Sequence, residues 1–152
     1  MELDKALDLI ADVPDFPEPG VLFRDLSPLF ADAAGFRAVT DALAATVDPE
    51  AALLAGVEAR GFLLAAAVGY ARGLGVALIR KPGKLPRVAG RVGYTLEYGT
   101  AAVELSEGVV EPGQRVAVLD DVLAGVSVVM ELGALGGRSV LEGRRVEALR
   151  VC

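Results

Sequence analysis

Two short motifs place charged side chains where a parallel α/β sheet binds its ligands. Arg60, in "GVEARGF" (56–62), follows an apolar strand and precedes a helix, and Asp120 and Asp121 end the apolar run "VAVLDD". The carboxyl ends of parallel strands and the adjoining helix starts commonly hold the ligand of such a sheet. Arg60 suits a phosphate, and two adjacent carboxylates suit a sugar diol or Mg²⁺. The alternatives are a surface arginine paired with Glu58 and a pair of turn or cap residues.

A basic segment lies between these two motifs. The stretch "IRKPGKLPR" carries four cations within eight residues, namely Arg80, Lys81, Lys84 and Arg87. In an otherwise acidic chain this forms a local positive field that suits a polyanionic ligand. The alternative is a solvated basic loop without a ligand.

The motif "LEYGT" places Glu97 beside Tyr98 near the end of residues 80–100, which are predicted to form a long mobile loop or a hairpin. A carboxylate on a closing loop can lose its water and act as an acid or base near neutral pH. A solvated glutamate is the alternative. Because the chain contains no histidine, any acid–base chemistry falls to carboxylates, lysine or tyrosine.

Composition restricts the class of protein. The net charge of −6 disfavours general nucleic-acid binding, and the single cysteine, Cys152, excludes a disulfide framework. The longest apolar run is about half a membrane span, and the first ten residues are charged and amphipathic, unlike a signal peptide. We expect a soluble cytoplasmic protein with no membrane or nucleic-acid partner, folded as one domain over residues 1–152.

The elements that must position these motifs follow from the spacing of apolar residues. Helical spacing predicts helices over 2–13, 33–47 with Asp32 as the N-cap, and 62–73. Apolar runs predict extended segments or strands at 21–23, 53–57, 75–79, 101–105, 115–119 and 126–132. The alternation of strand and helix predicts an α/β fold with a mainly parallel sheet.

The connection after the acid pair is short. Only the six residues Asp120–Gly125 separate two predicted strands, whereas a parallel pair ordinarily needs a crossover of about a dozen residues or more. If no helix intervenes, Gly125 closes a hairpin, and the strand 126–132 is predicted to run antiparallel to 115–119.

In this order, the motifs "PDFPEPGVLFRDLSPLF", "GVEARGF", "IRKPGKLP", "LEYGT" and "RVAVLDDVLA" resemble those of the adenine phosphoribosyltransferase family, within the type I phosphoribosyltransferases. The resemblance implies a twisted, mainly parallel sheet with flanking helices and a small hood. It implies transfer of phosphoribosyl from phosphoribosyl pyrophosphate to adenine with Mg²⁺, giving AMP and pyrophosphate. It also implies a homodimer.

The resemblance further implies a role for each matching residue. Leu22, Phe23, Arg24 and Leu132 would line the adenine pocket. The phosphoribosyl pyrophosphate would be bound by Arg60, Arg80, Lys81, Lys84, Tyr98, Asp120, Asp121 and Ala124. Within that set, the two aspartates would hold the ribose hydroxyls. Glu97 would exchange a proton with adenine N7, and no residue is directly assigned to the metal, which would arrive with the substrate.

One departure from the family pattern bears on activity. In the family, the acid pair continues into a Thr-Gly-Gly-Thr type turn and a helix, whereas here Ala124 runs straight into "GVSVVMEL", so roughly twenty residues are missing. That turn would cradle the 5′-phosphate. Three explanations stay open: a deletion variant of an enzyme, a non-catalytic adenine-binding relative or partner of an intact subunit, or a molecule containing a stretch that the printed sequence lacks.

Overall fold

The computed structural model of the protein describes residues 1–96, 99–122, 127–131 and 147–151. The helices in these ranges are α1 (Leu3–Leu7), α2 (Ser27–Ala31), α3 (Ala33–Thr46) and α4 (Arg60–Arg72). The strands are β1 (Ala11–Pro14), β2 (Leu22–Asp25), β3 (Leu53–Val57), β4 (Gly75–Arg80), β5 (Val88–Leu96), β6 (Gly99–Ser106), β7 (Val116–Val122), β8 (Ser127–Glu131) and β9 (Glu147–Val151).

Seven of the described strands form one mixed sheet in the order β5-β6-β4-β3-β7-β8-β9. Five of these strands run parallel to one another: β4, β3, β7, β8 and β9. The β5–β6 hairpin lies at the edge of the sheet next to β4, and β6 is antiparallel to β4. β1 and β2 pair separately as a two-stranded antiparallel sheet. The predicted α/β class with a mainly parallel sheet is therefore confirmed, and the small sheet corresponds to the predicted hood.

The helices α3 and α4 pack on the same face of the sheet. α4 contacts β3, β4 and β7, while α3 lies beside α4 and reaches β8 and β9. Leu54, Leu64, Val68 and Leu119 are fully buried where α4 meets the strands. Large apolar side chains removed from water in this way supply most of the favourable free energy of folding. No helix in the described ranges is long and apolar enough to cross a bilayer.

Local signals set the bounds of these two helices. The Asp32 carboxylate accepts a hydrogen bond from the Gly35 N–H at 2.7 Å, so it caps α3 as predicted. α4 ends at Gly73, whose φ of +66° is the left-handed conformation that glycine adopts readily at a helix end. The predicted strands 53–57 and 75–79 are present as β3 and β4.

The predicted helix over 2–13 is wrong beyond its first turns. α1 ends at Leu7, and the chain then pairs as β1, with Asp12 opposite Arg24 and Val13 opposite Phe23. Pro14, next to Val13, cannot continue a helix, and the antiparallel partner strand supplies the backbone hydrogen bonds that a longer helix would have made.

The predicted antiparallel hairpin at Gly125 is also wrong, because β8 runs parallel to β7. Ser127 is opposite Leu119 and Met130 is opposite Val122, so β8 begins beside the middle of β7. The prediction assumed that a parallel pair needs a crossover of about a dozen residues or more, whereas these two strands are only four residues apart in sequence.

Residues 80–100 lie largely in a hairpin. β5 and β6 pair antiparallel from Val88 and Ser106 to Leu96 and Gly99, with an irregular register between Val88 and Gly90. The hairpin alternative of the sequence analysis is therefore correct for the described part of this segment. The flexible active-site loop and the single domain over 1–152 stay predictions.

Candidate functional site

Arg60 begins α4 directly after the turn that follows β3. A side chain on Gly61 would meet the Leu119 carbonyl oxygen at 2.7 Å, and one on Gly56 would meet the Gly61 carbonyl oxygen at 2.6 Å. Cβ atoms do not approach carbonyl oxygens so closely, so the two glycines let the start of α4 press against β3 and β7. This close packing brings Arg60 to the acid pair.

The guanidinium of Arg60 contacts Asp121 and Phe23 and acts on Asp25 through its charge. Its Nη2 lies 2.7 Å from Asp121 Oδ2, and its central carbon lies 5.4 Å from the centre of the Phe23 ring, within the range of a cation–π contact. Its charge also lowers the pKa of Asp25 slightly. Arg60 is thus partnered by Asp121 rather than by Glu58, which corrects the alternative considered from the sequence. With 39% of its side chain exposed, Arg60 remains open to a ligand.

Asp120 and Asp121 lie within β7, because this strand extends to Val122 rather than ending at Leu119. Both are buried, and the Asp121 N–H donates to Asp120 Oδ1 at 2.9 Å. Burial, followed by the interaction with the Asp121 side chain, raises the pKa of Asp120 to about 8, although the Asp121 N–H and the charge of Arg60 oppose the rise. Asp120 therefore holds a proton at neutral pH and can donate a hydrogen bond.

Asp121 has a buried carboxylate oxygen without a hydrogen-bond partner among the described residues. This oxygen, Oδ2, is close to the Arg60 charge, yet it accepts no hydrogen bond from any described residue. Because the ion pair has no N–H directed at this oxygen, its capacity to accept a hydrogen bond is unused. The pair of aspartates thus offers a donor on one residue and an acceptor on the next.

β2 carries three of the residues predicted to line the adenine pocket, and their surroundings differ. Phe23 packs edge-on against Phe16 with ring centres 5.1 Å apart, and it carries Arg60 on its face. Arg24 forms an ion pair with Asp12 on β1, so its charge is directed into the hood. Leu22 is 48% exposed, which leaves an apolar side chain free beside the hood.

Asp25 is a charged residue at this site that the sequence analysis missed. Its carboxylate accepts hydrogen bonds from the Ser27 hydroxyl at 2.6 Å and from the Ser27 N–H at 2.9 Å. These contacts, the hydroxyl first, hold the pKa of Asp25 below its ordinary value. The spacing Asp-x-Ser before α2 is typical of a side chain that closes a local turn, and this was the available signal.

The basic segment is tied to the β3–α4 turn by Glu58. Arg80 Nε donates to Glu58 Oε2 at 3.1 Å, and the Lys81 N–H donates to the same oxygen at 2.7 Å. The Arg80 contact, followed by that of Lys81, lowers the pKa of Glu58. Arg80 also lies 5.5 Å from the centre of the Phe62 ring. Lys81 and Lys84 are exposed, so their side chains extend towards solvent near the cleft.

Four predicted site residues lie outside the described residues: Glu97, Tyr98, Ala124 and Leu132. The chain positions of the first two fall between β5 and β6, and that of Ala124 falls between β7 and β8. Their predicted roles stay predictions. The residues that the structure does bring together are Phe23, Arg60, Asp120 and Asp121, with Arg80 and Lys81 joined to the same turn through Glu58.

The chain is similar to known proteins in sequence and in fold. No family model matches the chain. The adenine phosphoribosyltransferase of Clavibacter sepedonicus is 51% identical over 166 aligned residues, which cover 96% of this chain and 86% of that protein. The crystal structure of adenine phosphoribosyltransferase from Thermoanaerobacter pseudethanolicus superimposes with a TM-score of 0.93 at 34% identity, covering 99% of each chain. The Giardia lamblia enzyme, solved with 9-deazaadenine, gives a TM-score of 0.92 at 29% identity over 100% of this chain and 98% of its own.

The Clavibacter protein also has positions that this chain lacks. Its 166 aligned positions exceed the about 146 residues that make up 96% of this chain, so about twenty positions of the relative have no counterpart here. That number is similar to the roughly twenty residues predicted to be missing.

Proposed function

The chain belongs to the adenine phosphoribosyltransferase family, and from this premise we propose that it acts in purine salvage by transferring phosphoribosyl from phosphoribosyl pyrophosphate to adenine. The products are AMP and pyrophosphate. The observation that carries the proposal is the position of Arg60, whose one guanidinium contacts the aromatic ring of Phe23 and the carboxylate of Asp121. A cation between an aromatic pocket and a pair of acids suits a ligand with a base at one end and a charged sugar at the other.

In this proposal each part of the cleft binds one part of the substrates. The purine lies against Phe23. The ribose hydroxyls accept a hydrogen bond from protonated Asp120 and donate one to Asp121 Oδ2. The pyrophosphate is held by the cations at the two strand ends, which are Arg60, Arg80, Lys81 and Lys84. Leu22, Arg24 and Leu132 complete the adenine pocket by resemblance, and Tyr98 and Ala124 contact the phosphoribosyl group.

In the proposed reaction these residues stabilise the charges that develop in the transition state. As the bond from ribose to pyrophosphate breaks, negative charge grows on the leaving group and positive charge grows on the sugar. Fixed cations at the leaving group lower the barrier because they are already oriented when that charge develops. Adenine gives up a proton as it attacks, and Glu97 is the proposed acceptor.

Mg²⁺ fits this site only as an ion that arrives with the diphosphate. The described residues contain no cluster of three or more carboxylate or thiol ligands, so they offer no cage built from protein alone. Mg²⁺ is commonly held by one or two carboxylates together with substrate phosphates, and Asp121 is the available carboxylate, because Asp120 holds its proton. The ion would supply charge neutralisation at the pyrophosphate.

A second candidate function follows from the short β7–β8 connection. Hydrogen bonds to a charged group contribute roughly 1.5–3 kcal/mol each, so losing about four donors to the 5′-phosphate would cost roughly 6 kcal/mol or more. That corresponds to on the order of 10⁴-fold in affinity. A chain with such a loss would bind adenine or nucleotide without useful turnover, alone or as the partner of an intact subunit.

A steady-state assay of AMP formation from adenine and phosphoribosyl pyrophosphate tests the enzyme directly. Its companion is calorimetry, in which we expect adenine or AMP to bind more tightly than guanine or hypoxanthine. Turnover supports the enzyme, and adenine binding without turnover supports the second candidate. Guanine binding as tight as adenine binding would contradict the purine assignment. An intact mass above the 15.7 kDa of these residues would reveal a stretch that the printed sequence lacks.

An insertion variant tests the connection itself. Placing a Thr-Gly-Gly-Thr turn and an amphipathic helix between Ala124 and Gly125 should raise kcat/KM by at least about 10³-fold, because it restores the phosphate donors. A glycine–serine insertion of the same length is the control and should raise nothing. A folded repaired chain that is no more active than the parent would refute the proposed cost of the short connection.

Two further parts of the proposal are the oligomeric state, which comes from the resemblance, and the location, which comes from the composition. The protein is a homodimer, which sedimentation at several concentrations would test. It acts in the cytoplasm, which fractionation of cells producing it would test.

A further inference from the structure

Glu104 is a buried carboxylate on β6 for which the proposed reaction has no role. Its side chain is 1% exposed, in a stretch of small and apolar residues. The Gly83 N–H donates to its Oε2 at 3.1 Å, Arg91 Nε donates to its Oε1 at 2.8 Å, and Arg91 Nη2 contacts the same Oε1. Burying a carboxylate costs free energy unless it is paired and hydrogen-bonded. Here each contact comes from an N–H group, and a carboxylate oxygen can accept it.

These contacts join three elements. Gly83 lies in residues 81–87, the basic turn, which connects β4 to β5, and Arg91 lies on β5. Gly83 has a φ of +79°, a left-handed conformation that few other residues adopt, so the direction of its N–H depends on a special backbone geometry. Glu104 therefore fixes the middle of the basic turn to both strands of the hairpin.

The start of the basic turn is fixed in the same manner by Glu58, which accepts the Lys81 N–H at 2.7 Å. The backbone from Lys81 to Gly83 is thus held at two points by two carboxylates. The side chains of Lys81 and Lys84 are exposed, and the described residues show no salt bridge for either. The carboxylates hold the backbone of the turn and leave the lysine charges available to an anion.

We propose that Glu104 is a positioning residue for the pyrophosphate site, acting through Gly83 to hold the basic turn where Lys81 and Lys84 meet the anion. This inference rests on the proposed function. Neighbouring lysines repel one another, and a loose turn would have to be ordered each time the anion binds. Ordering a flexible segment on binding lowers affinity, so a turn held in advance binds more tightly.

The test compares Glu104→Ala with Glu104→Gln, using inorganic pyrophosphate as the probe. We expect Glu104→Ala to weaken pyrophosphate binding by about tenfold, the effect of losing one charge-assisted contact. Adenine affinity should stay within about twofold, because the adenine pocket is built on β2. Glutamine keeps an acceptor for Gly83 and should restore most of the affinity. Glu107→Ala is the matched control, since it removes an exposed carboxylate just beyond the end of β6 and should change neither affinity.

Hydrogen exchange at the Gly83 N–H gives a readout that does not depend on the ligand. We expect faster exchange in Glu104→Ala and wild-type exchange in Glu107→Ala. If Glu104→Ala does not fold, Arg91→Met replaces it, because the Arg91 side chain is 61% exposed. That variant releases one side of the anchor and should weaken pyrophosphate binding by about threefold.

Other results would contradict either the positioning role of Glu104 or the proposed function. A folded Glu104→Ala or Arg91→Met variant with wild-type pyrophosphate affinity would overturn the positioning role. A wild-type chain that binds no pyrophosphate would instead overturn the proposed function. The role towards pyrophosphate would fall with it, and exchange at Gly83 would then decide whether Glu104 anchors the turn: unchanged exchange in Glu104→Ala overturns the anchor, and faster exchange supports it.

Discussion

Replacing Asp120 with asparagine should make the protein more stable at neutral and alkaline pH. The folded chain holds the proton of Asp120 up to a pKa of about 8, mainly because the carboxyl is buried, whereas the ordinary value is 3.8. Between these two values the folded state binds more protons than the unfolded state, so the contribution of Asp120 to stability falls as pH rises. The contribution is complete below about pH 4 and is lost above about pH 8. Asparagine has nearly the same shape, is always neutral, and keeps an acceptor for the Asp121 N–H.

The magnitude follows from the same two values. Each pH unit between them changes the difference in stability by about 1.4 kcal/mol, so moving from about pH 5 to about pH 7 should favour the variant by roughly 3 kcal/mol. This is an upper value, because water reaching the ionised carboxylate would relieve part of the cost of burial. Half of it would still be several times the usual effect of a surface substitution, about 0.5 kcal/mol or less.

Urea unfolding followed by circular dichroism, at about pH 5, 6, 7 and 8, measures this difference through the free energy of unfolding. Asp41→Asn is the matched control, because it makes the same chemical change on the exposed side of α3 and should show no comparable trend. A constant difference between the Asp120 variant and the wild type across this range would refute the reasoning. So would a variant that becomes less stable than the wild type as pH rises.

The remaining predictions concern the start of α4. Arg60→Ala should weaken pyrophosphate binding by about 1.5–3 kcal/mol in calorimetry, with a smaller loss at high salt, since it removes a charge-assisted contact. An unchanged dissociation constant would make Arg60 purely structural. Gly61→Ala should lower the free energy of unfolding by about 1–3 kcal/mol, because the added Cβ meets the Leu119 carbonyl oxygen at 2.7 Å. Gly90→Ala, which adds a Cβ into open space, is its control, and equal losses from the two would contradict the close packing.

Local signals allowed much of the sheet and its helices to be predicted. β3 is a short apolar run followed by a turn, and α4 ends at a glycine, so both are determined by residues close to them in sequence. The helix predicted over 2–13 failed because residues 11–14 pair with 22–25, and that partner cannot be read from apolar spacing. Spacing that suits a helix was overridden by a tertiary contact.

The site shows the same division between local and distant information. The motif around Arg60 identified the residue, but its partner Asp121 is brought to it by sheet order, which is not contained in the motif. The raised pKa of Asp120 depends on burial created by other elements. Glu104 carried a weak signal, as the one charged residue in the run "AAVEL", but its partners were not foreseeable. The roles assigned to Glu97, Tyr98, Ala124 and Leu132 stay predictions.

The pairing of β3 has a consequence for the order in which the protein folds. Leu53 is opposite Gly75 of β4 on one side and opposite Val116 of β7 on the other. β3 is therefore close in sequence to β4 and much further in sequence from β7. Closing a longer loop costs more entropy, and local pairings tend to form earlier. We therefore expect the unit β3–α4–β4 to assemble first and β7 to dock on it later, bringing Asp121 to an Arg60 already in place. Pulsed hydrogen exchange during refolding should protect the backbone N–H groups of β3 and β4 facing each other before those between β3 and β7, and simultaneous protection would contradict this order.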